Sequence, residues 1–251
     1  MAESLLGVEN ISKHFGGLLA IDGVSFEVKT GAITALIGPN GAGKTTLFSI
    51  ISGFLPADRG RILYDGVEIS AEPPHQRARR GIARTFQIVQ PFAGLTVREN
   101  IAIGSHLWQR NRVAALNSAD EVARSVGLAA QLDAPAATLT VAGSKRLELA
   151  RALAIAPRLL LLDEVLAGLN PSEIRDMVPV VRELTARGMT ILMTEHVMQA
   201  VTALAEHVLV LAQGKIIARG TTQDVAADPL VVEAYLGAGA AARIIAGRAH
   251  A

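Results

Sequence analysis

Cysteine is absent from the 251 residues, which excludes disulfides, thiol catalysis and cysteine-held metals and fits a reducing cytosol. Long apolar runs are missing too. Half the residues are hydrophobic, yet no stretch of about eighteen apolar residues occurs, so the chain is not expected to span a membrane by itself. The opening Met-Ala-Glu-Ser lacks the basic start and apolar stretch of a signal peptide. Charge of one sign is also scarce: 24 Lys and Arg face 23 Asp and Glu, a formal +1. No bulk field therefore draws the chain onto nucleic acid or acidic lipid. A local basic cluster, Arg77, Arg79, Arg80 and Arg84, is expected to be a solvated face, the sharper alternative being a contact with nucleotide or partner. There is no internal repeat and no sustained heptad pattern. The length suffices for one large or two small domains with a real core.

What is present begins at Gly38-Pro39-Asn40-Gly41-Ala42-Gly43-Lys44-Thr45, which satisfies the phosphate-loop pattern G-x-x-x-x-G-K-[ST]. The short β-prone run Ile33–Ile37 precedes it, and Thr46–Ser52 follows, ending at Gly53. That is strand, glycine loop, helix, with a glycine at the helix end. Such glycines let backbone N–H groups turn inward around a polyphosphate, and the helix N-terminus adds its dipole. Lys44 is expected to reach the β- and γ-phosphates, and Thr45 to offer its hydroxyl to Mg²⁺. A turn closing a hairpin would explain neither the lysine nor the helix.

Short apolar segments near Leu5–Asn10, Val24–Val28 and Arg61–Tyr64 read as β. From about residue 95 to 155 alanine, leucine and scattered charges predict helices. Residues 103 to 118 show no strong period and read as loop or short helix, whereas Leu147, Ala150, Leu153 and Ala154 recur at helical spacing. Leu159 to Leu162 forms an apolar run ending in Asp163-Glu164, the pattern of a buried parallel strand. Asn170-Pro171-Ser172-Glu173 predicts a capped helix start. Met177, Val180, Val181 and Leu184 line one face of that helix, Gly188 stops it, and Pro179 inside it is expected to cost a hydrogen bond. Met189–Met193 is the next strand, and Gln213-Gly214 predicts a hairpin turn. The tail from Gly237 is expected to fray. Strand–helix alternation around a phosphate loop argues a mostly parallel α/β sheet, with a helical block inserted.

The apolar strand 159–162 delivers Asp163 and Glu164 to the carboxyl end of that sheet, where a phosphate-bound metal sits. Asp163 is placed to hold the ion through water, and Glu164 to act as general base for an attacking water.

With these motifs in order, residues of about 4 to 237 resemble the ATP-binding cassette (ABC) ATPases. The resemblance implies a phosphate-loop NTPase (RecA-like) fold with an N-terminal antiparallel β subdomain and an inserted α-helical subdomain. It divides one nucleotide-binding domain, 1–251, into an ATP-binding core (about 4–95 and 156–237), a helical signature subdomain (96–155) and a tail (238–251). Phe86-Gln87 matches the family's glutamine loop, whose Gln senses Mg²⁺ and the γ-phosphate and contacts the membrane subunit. His196, in Thr194-Glu195-His196-Val197, matches the switch histidine at the γ-phosphate. Phe15, before Gly16-Gly17, matches the aromatic on which adenine stacks, and Ala167-Gly168-Leu169-Asn170 the dimer-contact loop. Thr46 follows the phosphate loop and is expected beside the nucleotide. The cofactors implied are ATP and Mg²⁺.

The signature Leu-Ser-Gly-Gly-Gln is altered. Aligned through Arg146-Leu147-Glu148, it reads Leu139-Thr140-Val141-Ala142-Gly143. Thr140 keeps the hydroxyl, Ala142 replaces a glycine and Gly143 the glutamine. This remains serviceable for a γ-phosphate bound by the opposite subunit if the backbone at 142 needs no positive φ. Val165 stands where the family usually has proline. The resemblance implies a second cassette facing this one head to tail, two membrane-spanning permease subunits, and indirectly an extracytoplasmic solute-binding protein, with no nucleic-acid partner. The chain would sit peripherally on the cytoplasmic face of the inner (plasma) membrane. Ala167–Pro171, Thr194–Met198 and Ala234-Tyr235-Leu236-Gly237 look most like the cassettes of branched-chain amino acid importers. The alternative, a soluble ABC ATPase of translation or DNA repair, usually carries two cassettes or a long coiled-coil insertion. An exporter cassette would differ in its membrane partner, and a non-hydrolysing regulatory cassette is disfavoured by Lys44, Asp163, Glu164 and His196.

Overall fold

Apolar–polar alternation in the first 30 residues produces a hairpin rather than helices. In the computed structural model, which describes residues 3–86 and 90–237, β1 (Ser4–Phe15) and β2 (Leu18–Lys29) pair antiparallel. Val24, Phe26 and Val28 point inward from β2, every second residue as a pleated strand requires. With β4 (Arg59–Tyr64) and β5 (Val67–Glu68) they make a four-stranded sheet in the order β2-β1-β4-β5.

The second sheet runs β10-β9-β3-β8-β7-β6. Its strands are β3 (Ile33–Ile37), β6 (Ile82–Arg84), β7 (Leu159–Asp163), β8 (Thr190–Thr194), β9 (His207–Ala212) and β10 (Lys215–Gly220). All its pairings are parallel except the β9–β10 hairpin. There Gln213 and Gly214 both take positive φ, 48° and 76°, the two-residue turn that matches strand twist. β3, β7 and β8 are buried at every position, because both faces of the sheet are covered. Leu160 and Leu162 of β7 join the core on one face, Leu159 and Leu161 the core on the other.

The inserted helices α3 (Val97–Ser105), α4 (Arg112–Ser125) and α5 (Val141–Leu153) all lie between β6 and β7. Most of the stretch from 103 to 118 is thus helical. Its period was faint because α4 buries only alanines, Ala115, Ala119 and Ala123, which mark a helix face weakly. α6 (Pro171–Ala186) starts as the sequence predicts: Asn170 caps it, and the Glu173 carboxylate accepts from the Asn170 N–H at 2.8 Å. Pro179 lies inside α6, which continues past it to Ala186. Three short helices near the C-terminus, α7 (Met198–Leu204), α8 (Thr222–Ala227) and α9 (Pro229–Leu236), were not anticipated. The tail after Gly237 lies outside the described residues.

The basic cluster is a correction. Only Arg79 and Arg80 are exposed. Arg77, on α2 (Pro74–Arg79), is 2% exposed and donates to the carbonyls of Ile50, Ile51, Ile69, Ser70 and Glu72 at 2.6–3.0 Å. Ile50 and Ile51 end α1 (Lys44–Ile51), whose last carbonyls have no intrahelical donor, and a guanidinium fork satisfies several at once. Arg77→Ala strands buried acceptors. It is expected to cost roughly 3 kcal/mol or more of stability, read as a lowered urea midpoint.

Candidate functional site

The parallel register of three neighbouring strands builds the site. β8 lies between β3 and β7, with Leu36 and Asp163 both paired to Thr194. The chain leaving β3 becomes the phosphate loop, the chain leaving β7 becomes Glu164, and the chain leaving β8 becomes Glu195 and His196. All emerge at one carboxyl edge, where open parallel sheets bind ligands.

In the loop, Gly38, Gly41 and Gly43 have φ of 155°, 77° and 106°. A Cβ on Gly38 would lie 2.0 Å from the Leu211 carbonyl oxygen, and one on Gly43 2.7 Å from that of Ala20, so only glycine fits at either place. Ala42 is buried, Asn40 is exposed and Pro39 is half-buried. Lys44 opens α1 and turns back into the loop, donating to the Gly38 and Pro39 carbonyls at 2.7 and 3.1 Å. Burial lowers its pKa, and the Glu164 and Asp163 carboxylates oppose the shift. Thr45, exposed, and Thr46, half-buried, follow on the first turn of α1.

Asp163 is held from several sides. The Thr194 hydroxyl donates to Oδ1 at 2.8 Å, Arg84 donates to Oδ2 at 2.7 Å, and the Asp163 N–H bonds Thr85 Oγ1 at 3.0 Å. Glu164 takes the left-handed conformation, φ 51°, uncommon for a residue with a side chain. Its N–H bonds the Thr194 carbonyl at 3.1 Å, its carbonyl accepts from Lys145 at 3.1 Å, and its Oε1 lies 2.6 Å from His196 Nε2. The structure thus brings Lys44, Asp163, Glu164 and His196 to one edge. Gln87 lies outside the described residues.

Phe15 ends β1, 48% exposed, with the Lys13 ammonium 5.9 Å from its ring centroid. Thr140 caps α5, its Oγ1 accepting from the Gly143 N–H at 3.1 Å. Its hydroxyl proton remains available to donate. Ala142 lies within α5 and is not among the positive-φ residues, so the altered signature keeps helical geometry and an N-terminus that favours an anion.

Thr45 and Asp163 line the same groove, of about 920 Å³. Hydroxyl and carboxylate are hard oxygen donors suited to Mg²⁺. Among the described residues no group of three or more His, Cys, Asp or Glu could hold a metal. The two oxygen donors fit a magnesium ion whose remaining ligands would be phosphate oxygens and water.

Sequence reasoning missed Lys145, Glu148 and Glu195, and it placed Arg84 only in a basic cluster, without its bond to Asp163. The Glu148 carboxylate, buried on α5, accepts from the Phe86 N–H at 3.2 Å and from Arg151 at 3.2 Å. Glu195 accepts from the Leu166 N–H at 2.9 Å and so fixes the start of the loop 166–170. Among the described residues its other oxygen is buried without a partner. Burial, with the nearby Glu164 charge, pushes the Glu195 carboxyl up to about 7. A carboxyl with a raised folded-state pKa weakens the fold as pH climbs from its unfolded value, about 4.5, through 7. Glu195→Gln keeps the bond to Leu166 and cannot ionise. It is expected to stabilise the protein at pH 8 by on the order of 1–3 kcal/mol, the gain vanishing below about pH 4.5 in thermal denaturation.

Among the described residues no helix is long and apolar enough to cross a membrane. A family model described as "ABC transporter" matches residues 21–167, and one described as "Branched-chain amino acid ATP-binding cassette transporter" matches 215–241. The chain is 36% identical to the high-affinity branched-chain amino acid transport ATP-binding protein BraF of Pseudomonas aeruginosa, over 94% of this chain and 99% of that protein. It is 38% identical to the probable branched-chain amino acid transport ATP-binding protein LivG of Archaeoglobus fulgidus, over 93% and 96%. Among solved structures, a nucleotide-free ATP-binding cassette from an ABC transporter superposes with TM-score 0.86 at 35% identity, covering 93% of this chain and 99% of that one. The ADP conformation of an ATP-binding cassette gives TM-score 0.86 at 36% identity, covering 94% and 99%.

Proposed function

The chain belongs to the ABC transporter family, and from that premise we propose that it is the ATP-hydrolysing subunit of an importer for branched-chain amino acids or their close chemical relatives. The observation that carries hydrolysis is the convergence of Lys44, Asp163, Glu164 and His196 at the ends of three adjacent parallel strands. The match of residues 215–241 to the branched-chain amino acid model supports the substrate class.

In this reading the loop N–H groups and Lys44 hold the phosphates, and Phe15 stacks on adenine. Thr45 and Asp163 would hold a magnesium ion, which would supply positive charge against the phosphates. Glu164 takes the proton of the attacking water. His196, already 2.6 Å from Glu164, orients that carboxylate and reaches the γ-phosphate. Thr140, with the backbone at Ala142 and Gly143, faces the γ-phosphate of a second cassette. Two such chains, identical or sibling, would close around two ATP molecules and reopen after hydrolysis.

The groove that starts at Thr45 and Asp163 runs out to Phe54, Phe86 and Phe92, exposed by 57, 43 and 48%. We infer that permease subunits dock there, on the cytoplasmic face of the membrane, with a solute-binding protein acting on the far side. The experiment is an affinity pull-down of this chain from detergent-solubilised membranes of its source, with partners identified by mass spectrometry. Co-purifying permeases and binding of leucine, isoleucine or valine by the associated solute-binding protein are expected. Recovery with ribosomes or repair factors alone would overturn the transport reading and leave the ATPase chemistry standing.

A further inference from the structure

Arg84 takes no part in the proposed hydrolysis, yet it touches the site directly. Its side chain is 7% exposed, and its Nη2 lies 2.7 Å from Asp163 Oδ2. The pair is tethered on the arginine side: Nη1 donates to Ser49 on α1 and to Ser52 just after it, both at 3.1 Å. The guanidinium also lies 5.9 Å from the Phe48 ring centroid and 5.4 Å from that of Phe86. The end of α1 and the Phe86 ring therefore hold one cation against the carboxylate assigned to the metal. A guanidinium does not deprotonate in proteins, so Asp163 faces a permanent positive charge whether or not nucleotide is present.

We infer that Arg84 is a positioning residue that makes metal binding conditional on nucleotide. It aims Asp163 and keeps the buried carboxylate neutralised in the empty site, so a free divalent cation meets the arginine's charge as it approaches. Only an ion that arrives with phosphate brings enough negative charge to offset that repulsion. The serine and aromatic anchors stop the guanidinium from swinging aside to leave Asp163 bare. This inference rests on the reading of Asp163 as the metal-holding carboxylate.

The test uses Mn²⁺ as a paramagnetic substitute for Mg²⁺, with free ion counted by electron paramagnetic resonance, with and without ADP. Wild-type protein should bind Mn²⁺ weakly without nucleotide and much more tightly with ADP. Tight binding to the nucleotide-free wild type would overturn the inference without any variant. Arg84→Gln should bind Mn²⁺ roughly tenfold more tightly without nucleotide, the scale of one charge facing a divalent ion a few ångströms away under near-aqueous screening. Arg84→Lys, which restores charge, should return the wild-type value. Unchanged or weaker binding by Arg84→Gln that still binds ADP would overturn the inference. Asp163→Asn, made in parallel, should weaken the Mn²⁺·ADP complex. If it does so while Arg84→Gln changes nothing, the Arg84 inference alone falls; if it has no effect, the assignment of Asp163 falls and the inference with it.

Discussion

Glu164→Gln should bind ATP as the wild type does and turn it over about a thousandfold more slowly. The carboxamide has the shape of the carboxylate but cannot accept the proton of an attacking water. Two of the bonds that place the residue do not depend on its charge. The N–H bond to Thr194 and the Lys145 bond to its carbonyl both use backbone atoms, and the φ of 51° is set by the chain leaving β7. The neighbouring His196 has ring nitrogens able to donate or accept, so it can pair with the amide as well. The kinetic signature is therefore a fall in kcat with the ATP dissociation constant unchanged, the mark of a group used in the transition state rather than in ground-state binding. It is measured by phosphate release at saturating ATP and by equilibrium titration with a fluorescent nucleotide. Ordinary turnover by this variant would remove Glu164 from the role of base.

That the placement of Glu164 and Lys44 at one sheet edge was legible in the sequence, and the Arg84–Asp163 bond was not, has a physical reason. A phosphate loop is local: eight consecutive residues carry its glycines, lysine and threonine, and the flanking run and helix fix its orientation. Asp163-Glu164 is nearly as local, since an apolar strand that ends in carboxylates can place them only at a sheet edge. The capping box at Asn170 and Glu173 and the Gln213-Gly214 turn are likewise written within a few residues. The Arg84–Asp163 pair joins residues 79 positions apart, and no period records it. Arg77 is a similar case: its five acceptors come from the end of α1 and from the segment 69–72, which only the folded chain brings round one guanidinium. Charge alone made both arginines look like surface. α4 was faint for a different reason, since a face of alanines packs closely while contributing little hydrophobic contrast. α8 was readable: Thr221 and Asp224 form a capping box, the signal already used for α6.

Lys44→Ala should separate binding from chemistry in the opposite sense. Its ammonium, 6% exposed and bonded to two loop carbonyls, lies where phosphate oxygens would replace those carbonyls as partners. Removing a buried charge-assisted contact of this kind weakens binding by about a hundredfold or more. The backbone N–H groups of the loop survive, so affinity falls without vanishing. The fold should hardly change, because burial already works against the charged lysine in the empty site. Melting without nucleotide is then the control and melting with ATP the readout. At ATP a hundred times the wild-type dissociation constant, mass action stabilises wild type by about 2.7 kcal/mol, while a variant binding a hundredfold more weakly gains about 0.4 kcal/mol. A Lys44→Ala protein that melts normally alone and keeps the full ATP-induced shift would show that the phosphates bind elsewhere, and the assignments of Thr45, Asp163 and Glu164 would have to move with them.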